Sequence, residues 1–376
     1  MKFAALTYLF LFLLPPHILA QDYSGYGGEV IPISVYGEDD RKDYFETSRA
    51  MQSFANSTVA LFKGKDLRFN KSKSVYEITP VKLGEKFNLE AEQRFYNQPA
   101  ISFCSGALVG DDLILTAGHC VRDDTVNSSM GVYCKDMKIV FGYAVKKKGE
   151  KFESFPMQEV FFCSKVLFHK YSRKNGDYAV IKLDRKASKH IPLAVNRRQN
   201  LRKGSKLFVI GYPSGLPVKI ADNAQVRDIG EGTPFFKADL DTFRGNSGSP
   251  VFNAETFLIE GILSDGGKDY QYTIDTPEGA RTIYDPRLPF AYNKGRVFVY
   301  EQDKGPGELV TKISVVENRL GVTRLEKAFE EMRRQKIDLR RELEELHLIE
   351  PNENFKVEPA IYHPPPEPRA PRVYEI

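Results

Sequence analysis

Arg244-Gly245-Asn246-Ser247-Gly248-Ser249-Pro250-Val251-Phe252 is the stretch on which the reading of this chain turns. It sets a serine among glycines and then runs into an apolar pair, as a tight turn feeding a strand would. Glycine reaches backbone angles that side chains forbid, so such a turn can be sharp and other chain can pack against it. If the amides of Gly245 and Ser247 point the same way, they form a two-donor pocket for an oxygen that turns negative during acyl transfer. Such a donor is typically worth about 3 kcal/mol of barrier. Ser247 is then a candidate nucleophile, with Gly245 and Ser247 as oxyanion donors. Taken alone, the same residues make an ordinary Gly/Ser/Asn/Pro turn between strands. The rest of the chain decides between the two.

A serine nucleophile needs a base, and imidazole titrates in the right range to take a proton and return it. Of the six histidines, His17 belongs to the apolar N-terminal segment, and among the other five His119 alone stands in a small-residue context, Ala117-Gly118-His119. It closes a region of two apolar runs, Ile101 to Gly110 and Asp112 to Thr116, joined through Gly110-Asp111. That pattern predicts a hairpin of antiparallel strands. Cys104 and Cys120 bracket it. A disulfide between them would close a loop of about 17 residues, contribute about 3 kcal/mol in the chain-entropy account, and fix the backbone beside His119. Cys134 and Cys163 remain, and pairing them is the simplest completion; four cysteines allow three connectivities, among which sequence does not choose.

An acid directly before an apolar strand can be held at the buried edge of a barrel, where it would accept a hydrogen bond from the second nitrogen of the histidine. Asp177, leading Tyr178-Ala179-Val180-Ile181-Lys182-Leu183, has that placement. It also suits a turn aspartate that merely begins a strand. Asp184, after the strand, is flanked by Arg185 and Lys186 and reads as a solvated surface charge.

Elsewhere the chain is written in short strands. Ser57 to Lys63 is rich in strand formers, and Val75 to Val81, Met137 to Ala144, Ser205 to Tyr212, Gln225 to Ile229, Phe235 to Leu240 and Phe257 to Leu263 continue the style between Gly/Pro punctuation. That spacing predicts an all-β barrel or sandwich. The character changes over 321–350, where Val322, Leu325, Phe329, Met332, Lys336, Leu339, Leu343 and Leu346 recur in steps of three and four. This is an amphipathic helix whose stripe is interrupted by one lysine. It is expected to dock on its own domain, with self-association through the stripe as the alternative. Residues 351–376, with Pro364-Pro365-Pro366, read as an extended tail.

At the other end, Met1-Lys2, an apolar core from Phe3 to Leu14, Pro15-Pro16 and the small Ala20 have the form of a secretory signal, residues 1–20. Residues 21–29 are then a propeptide or an N-terminal extension, and the main domain runs over 30–320. No other stretch is apolar enough to span a membrane. The expected location is secreted or periplasmic, where the four cysteines can form disulfides. With 376 residues, 41% of them hydrophobic, the chain can bury a sizeable core. Its formal charge of +4 is interspersed and does not ask for a nucleic-acid partner.

Assembled, the sequence resembles the trypsin-like (chymotrypsin-fold) serine peptidases across roughly residues 30–320. Thr116-Ala117-Gly118-His119-Cys120, Asp177 with the strand that follows, and Gly245-Asn246-Ser247-Gly248-Ser249-Pro250 are similar to that family's three signatures, in its chain order. The conjunction is far more specific than any one of them. The resemblance implies two six-stranded antiparallel β-barrels with a triad of His119, Asp177 and Ser247 in the cleft, and it likens Cys104 and Cys120 to the family's histidine-loop disulfide. Gly-Asn-Ser-Gly-Ser-Pro and Asp39-Asp40-Arg41 look most like the secreted bacterial branch that includes glutamyl endopeptidases. Leu263 stands where glutamate-selective members have a histidine, so glutamate selectivity is not implied. Asn246 stands where animal trypsins carry the aspartate that pairs with the freed N-terminus. Asp241, six residues before the serine, stands at the base of the primary pocket, with Thr242, Ser264 and Gly266 as further substrate-binding positions; an aspartate there implies a basic residue before the scissile bond.

The function expected from this reading is that of a secreted serine endopeptidase acting on protein or peptide substrates, with no cofactor and no metal. The alternatives are a catalytically silent binding protein on the same fold, or a protease-chaperone. The latter would want a peptide-binding domain after the catalytic one, which a helix and a proline-rich tail do not supply.

Overall fold

The computed structural model describes residues 35–122, 131–198, 200–266, 268–276, 279–284, 293–302 and 304–335, with Arg341 and Glu345 besides. The segments read from the sequence as a signal (1–20), as a propeptide or N-terminal extension (21–29) and as a proline-rich tail (351–376), with most of the expected helix beyond residue 335, lie outside the described residues.

Twelve strands build two closed barrels. The first comprises β1 (Thr58–Lys63), β2 (Cys104–Gly110), β3 (Leu113–Thr116), β4 (Met137–Val140), β5 (Val160–Ser172) and β6 (Gly176–Leu183), hydrogen-bonded in the ring order β4-β5-β6-β3-β2-β1 and back to β4. The second comprises β7 (Lys206–Gly211), β8 (Lys219–Asp228), β9 (Phe235–Ala238), β10 (Pro250–Asn253), β11 (Ile259–Asp265) and β12 (Glu308–Lys312), in the order β7-β10-β11-β12-β9-β8, closed by pairing of β7 with β8. All these pairings are antiparallel. Closure leaves neither ring with a free edge of unpaired amides and carbonyls.

The apolar runs in the sequence have a direct cause here. Side chains alternate between the two faces of a strand, and in β1, β2, β6, β7 and β11 both faces are buried, whereas much of β5 is half-buried or exposed. On β1, Val59 and Leu61 enter the interior of the first barrel, while Ala60 and Phe62 join a second core shared with the other barrel. β6 divides the same way, Ala179 and Ile181 inward and Tyr178 and Val180 to the shared core. In the second barrel Leu207, Val209, Val251 and Leu263 fill the interior, while Phe208, Ile210, Phe252 and Ile262 face the shared layer.

That layer also takes up a helix the periodicity did not single out, α1 (Arg49–Ala55), capped by Ser48, whose side chain accepts from the Met51 amide. Met51 and Phe54 are buried, and the Phe54 ring lies 5.5 Å from Phe252 and 5.7 Å from Phe257. The strand-like piece at Val75 is real but stands outside the barrels, Val75–Ile78 pairing with Leu67–Asn70 and Ser154–Pro156. The expected C-terminal helix begins as α2 (Arg324–Arg334), capped by Thr323. It docks on the domain: Leu325 and Phe329 pack on the shared core, and the buried Glu326 accepts from Arg197 Nε at 2.7 Å. Val322, first in the sequence stripe, is instead exposed.

Both disulfides are formed, Cys104–Cys120 and Cys134–Cys163, so the pairing left open by the sequence is resolved.

Candidate active site

His119 sits in a single turn, Gly118–Cys120, at the end of β3. Two constraints set its backbone. The disulfide ties its neighbour Cys120 to the start of β2. On the other side Gly118 is pressed against β5, where a Cβ would run into the Lys170 carbonyl. The absence of that side chain lets the turn approach Asp177 closely.

Asp177 lies at the start of β6, opposite Tyr171 of β5, and is 1% exposed. Its carboxylate is satisfied three times: Oδ1 accepts from the His119 amide at 2.9 Å, and Oδ2 from His119 Nδ1 at 2.7 Å and from Ser264 Oγ at 2.6 Å. Its backbone is tied to β12, its amide donating to Thr311 Oγ1 at 3.2 Å and its carbonyl accepting from that hydroxyl at 3.1 Å. Burial disfavours the charged carboxyl, but the His119 ring and these donors overcome it and hold Asp177 below the ordinary aspartate range. For His119, burial favours the neutral ring, yet the adjacent Asp177 carboxylate prevails and raises its pKa above 6.5. An ionised carboxylate only accepts, so Nδ1 carries the proton in the neutral ring and Nε2 is left as the acceptor.

Ser247 occupies a turn between Gly245 (φ +100°) and Gly248 (φ +85°), both in the left-handed region that favours glycine. A Cβ on Gly248 would run into Thr116 Oγ1 and Ser105 O, and one on Gly245 would lie 2.6 Å from Tyr212 O. The loop is therefore seated directly on β2, β3 and the Pro213–Gly215 turn. The Ser247 carbonyl accepts from the Ser105 amide at 2.8 Å and lies 3.7 Å from Cys120 Sγ, beside the histidine turn. Ser105 Oγ donates to the Gly245 carbonyl at 2.8 Å, and the Asn246, Gly248 and Ser249 amides donate to Phe243 O, Leu263 O and Asn246 O. No described residue accepts from the Gly245 or Ser247 amide. Asn246 is buried, its Oδ1 3.3 Å from Ser249 Oγ, so it braces the nucleophile loop from within.

The positions assigned to substrate binding have other partners. Asp241 is buried and its carboxyl accepts from the Tyr36 amide at 2.8 Å and the Asp40 amide at 3.1 Å, which clamps the N-terminal segment to the second barrel. Burial, then the neighbouring Asp40 carboxylate, push the Asp241 carboxyl up to about 9. Thr242 Oγ1 donates to Glu308 Oε2. Glu308 is wholly buried at the head of β12, and burial drives its pKa well above the usual carboxyl range. Ser264 is turned to Asp177, and Gly266 is exposed just past β11.

Sequence reasoning missed several residues of this region. Arg41 is 1% exposed, paired with Asp39 through Nε at 2.8 Å and Nη2 at 2.7 Å, with its guanidinium 3.9 Å from the Phe243 ring centroid. The Asp39-Asp40-Arg41 run was the one signal for it. For Glu308 the sequence carried no signal, its partner Thr242 being 66 residues away; Ser264 was named for substrate binding, but its contact with Asp177, 87 residues away, was not readable. Sulfur and nitrogen atoms of Cys104, Cys120 and His119 lie within 4.8 Å of one another, but both sulfurs are spent in the disulfide, so the group offers no thiolate to a metal.

Two closed six-stranded antiparallel barrels define a chymotrypsin-like fold. Residues 104–259 match the trypsin-like peptidase domain. Among solved structures the chain is similar to human heparin binding protein (14% identity, 74% of this chain and 93% of that one, TM-score 0.41). It is similar also to a scabies mite inactivated protease paralogue (15% identity, 76% and 96%, TM-score 0.40) and to a Glu endopeptidase (18% identity, 66% and 93%, TM-score 0.39). No curated protein sequence matches it.

Proposed function

We propose that the protein is a secreted serine endopeptidase in which Ser247 is the nucleophile, His119 the base and Asp177 the orienting acid. The observation that carries this reading is the His119–Asp177 pair. Two hydrogen bonds from one histidine to one buried carboxylate fix the ring, its tautomer and its basic Nε2. In the reaction Nε2 takes the Ser247 hydroxyl proton as Oγ attacks the peptide carbonyl. The oxygen that becomes negative is received by the Gly245 and Ser247 amides, which have no described acceptor of their own. The imidazolium, stabilised by Asp177, returns the proton to the leaving amine. Water then attacks the acyl-enzyme by the same route and frees Ser247.

The two disulfides support an oxidising compartment, and with the N-terminal segment they support secretion. Preference for a basic residue before the scissile bond belongs to the same proposal. Asp241 is held by the Tyr36 and Asp40 amides, so its part would be electrostatic rather than direct. Its support is the place of Asp241, six residues before Ser247; burial and then Asp40 push that carboxyl up to about 9, so it would take up its charge when a guanidinium is brought beside it.

Cleavage of a peptide library by the purified mature chain, with Ser247→Ala as control, tests the reading. Cleavage by both proteins alike would count against it.

A further inference from the structure

The groove beside the oxyanion amides is cationic. A cavity of about 540 Å³ opens against Gly245, and Lys63, Lys65, Lys86 and Arg244 line it with Asp66 as its only acid among the described residues. Its floor, Ile101–Phe103, leads directly into Cys104, whose disulfide flanks His119. No residue of β11 lines it. β11 leads to Gly266, which the resemblance groups with the pocket for the residue before the scissile bond, so on the serine peptidase reading the groove serves the other side, where the leaving amine departs.

The cations are poised rather than neutralised. Lys86 Nζ donates to two carbonyls, Ala100 O at 2.8 Å and Ser214 O at 3.3 Å, which hold the ammonium over the turn that supports Gly245. Lys86 is exposed as a residue, yet its ammonium is held by these two carbonyls. Burial, then Lys63, push its pKa down to about 8, with Asp66 opposing. Neither Lys63, Lys65 nor Lys86 forms an ion pair with a described acid, and Arg244 has Asp269 at 3.7 Å. A lysine disfavoured by burial and by a second lysine gains from a carboxylate brought beside it.

We propose that this groove binds acidic side chains, aspartate or glutamate, in the one or two substrate residues that follow the scissile bond. The proposal rests on the serine peptidase reading above and names the substrate class that the site would favour. It asks for no new chemistry: the acidic residues bind and position the leaving segment.

Binding and cleavage test it separately. Ser247→Ala protein is titrated, by fluorescence anisotropy, into fluorescein-labelled acetyl-Gly-Glu-Glu-Gly and its Gln-Gln counterpart. The Glu peptide is expected to bind roughly tenfold more tightly at low salt, and the advantage to fade as ionic strength rises. Lys63→Gln/Lys65→Gln/Lys86→Gln should bring the ratio close to one, and Asp66→Asn should increase it. If the triple variant fails to fold, the Asp66→Asn arm decides alone. In the active protein, cleavage sites in a random library should be enriched in Asp and Glu just after the cut. Equal binding of the two peptides, a preference untouched by the variants, or a groove that takes a sulfated polysaccharide but not the Glu peptide would overturn the proposal. Fluorophosphonate labelling of Ser247 reports on the chemistry independently, so loss of labelling sinks the peptidase reading and not the binding result.

Discussion

Ser264 Oγ donates to Asp177 Oδ2 at 2.6 Å, the same carboxylate oxygen that accepts from His119 Nδ1 at 2.7 Å. β11 of the second barrel thus completes the shell of an acid that belongs to the first. Because Asp177 is buried, each donor counts; a hydrogen bond to a charged group is worth about 1.5–3 kcal/mol. Ser264→Ala is expected to lower kcat roughly ten- to hundredfold with little change in KM, and steady-state kinetics on one peptide would show it. An unchanged kcat would mean that the other two donors suffice.

The pH dependence follows from the same pair. His119 must be neutral to accept the serine proton, and its pKa lies above 6.5, so kcat/KM is expected to rise with pH through that raised value. The linkage to stability has the corresponding signs. The His119 contribution is fully present below about 6.5, the unfolded histidine value, and is lost as pH rises through the folded value. The Asp177 contribution is present above about 3.9, the unfolded aspartate value, and is lost as pH falls through its depressed one. Asp177→Asn should reduce kcat on the order of 10⁴-fold by favouring the wrong tautomer. An acid limb at or below 6.5 in the unmodified protein would contradict the pairing.

Gly118 tests how the histidine is placed. An alanine there meets the Lys170 carbonyl, which as backbone of β5 cannot swing aside. Gly118→Ala is expected to cost about 1–3 kcal/mol of stability, as overpacking does, and to lower kcat by displacing the ring. Gly321→Ala, which meets nothing within 4 Å, should change neither. Thermal melts and kinetics on the two variants make the comparison.

The sequence was most readable where one rule dominated. Alternating or doubly apolar runs such as Tyr178-Ala179-Val180-Ile181 announce strands buried on both faces, and His119, Asp177 and Ser247 stand in short motifs whose spacing and order are informative together. It was least readable where a side chain's partner lies far along the chain. Asp241 was legible as an acid six residues before Ser247, but not as the acceptor of the Tyr36 amide 205 residues away. Likewise α1 is only seven residues long, too short for a helical period to stand out, and exists because Phe54 fills the aromatic layer under Phe208 and Phe252.

The C-terminal helix should matter to stability and not to chemistry. Arg197 donates to Glu326 Oε2 and also to the carbonyls of Glu317 and Leu320, so it fastens α2 and the chain before it to the domain. Glu326→Ala is expected to destabilise by about 1–3 kcal/mol while kcat stays within twofold. Truncation after Leu320 should lower the melting temperature and, by baring the seam beneath Leu325 and Phe329, promote self-association. A truncated protein that keeps both its melting temperature and its oligomeric state would show the helix to be an appendage.

Covalent catalysis at Ser247 is the central claim, and reaction with a serine-directed fluorophosphonate followed by peptide mass mapping tests it most directly. The mature chain is expected to carry one adduct, on Ser247, and His119→Ala to lose it. An unlabelled chain, or an adduct on another residue, would contradict the account.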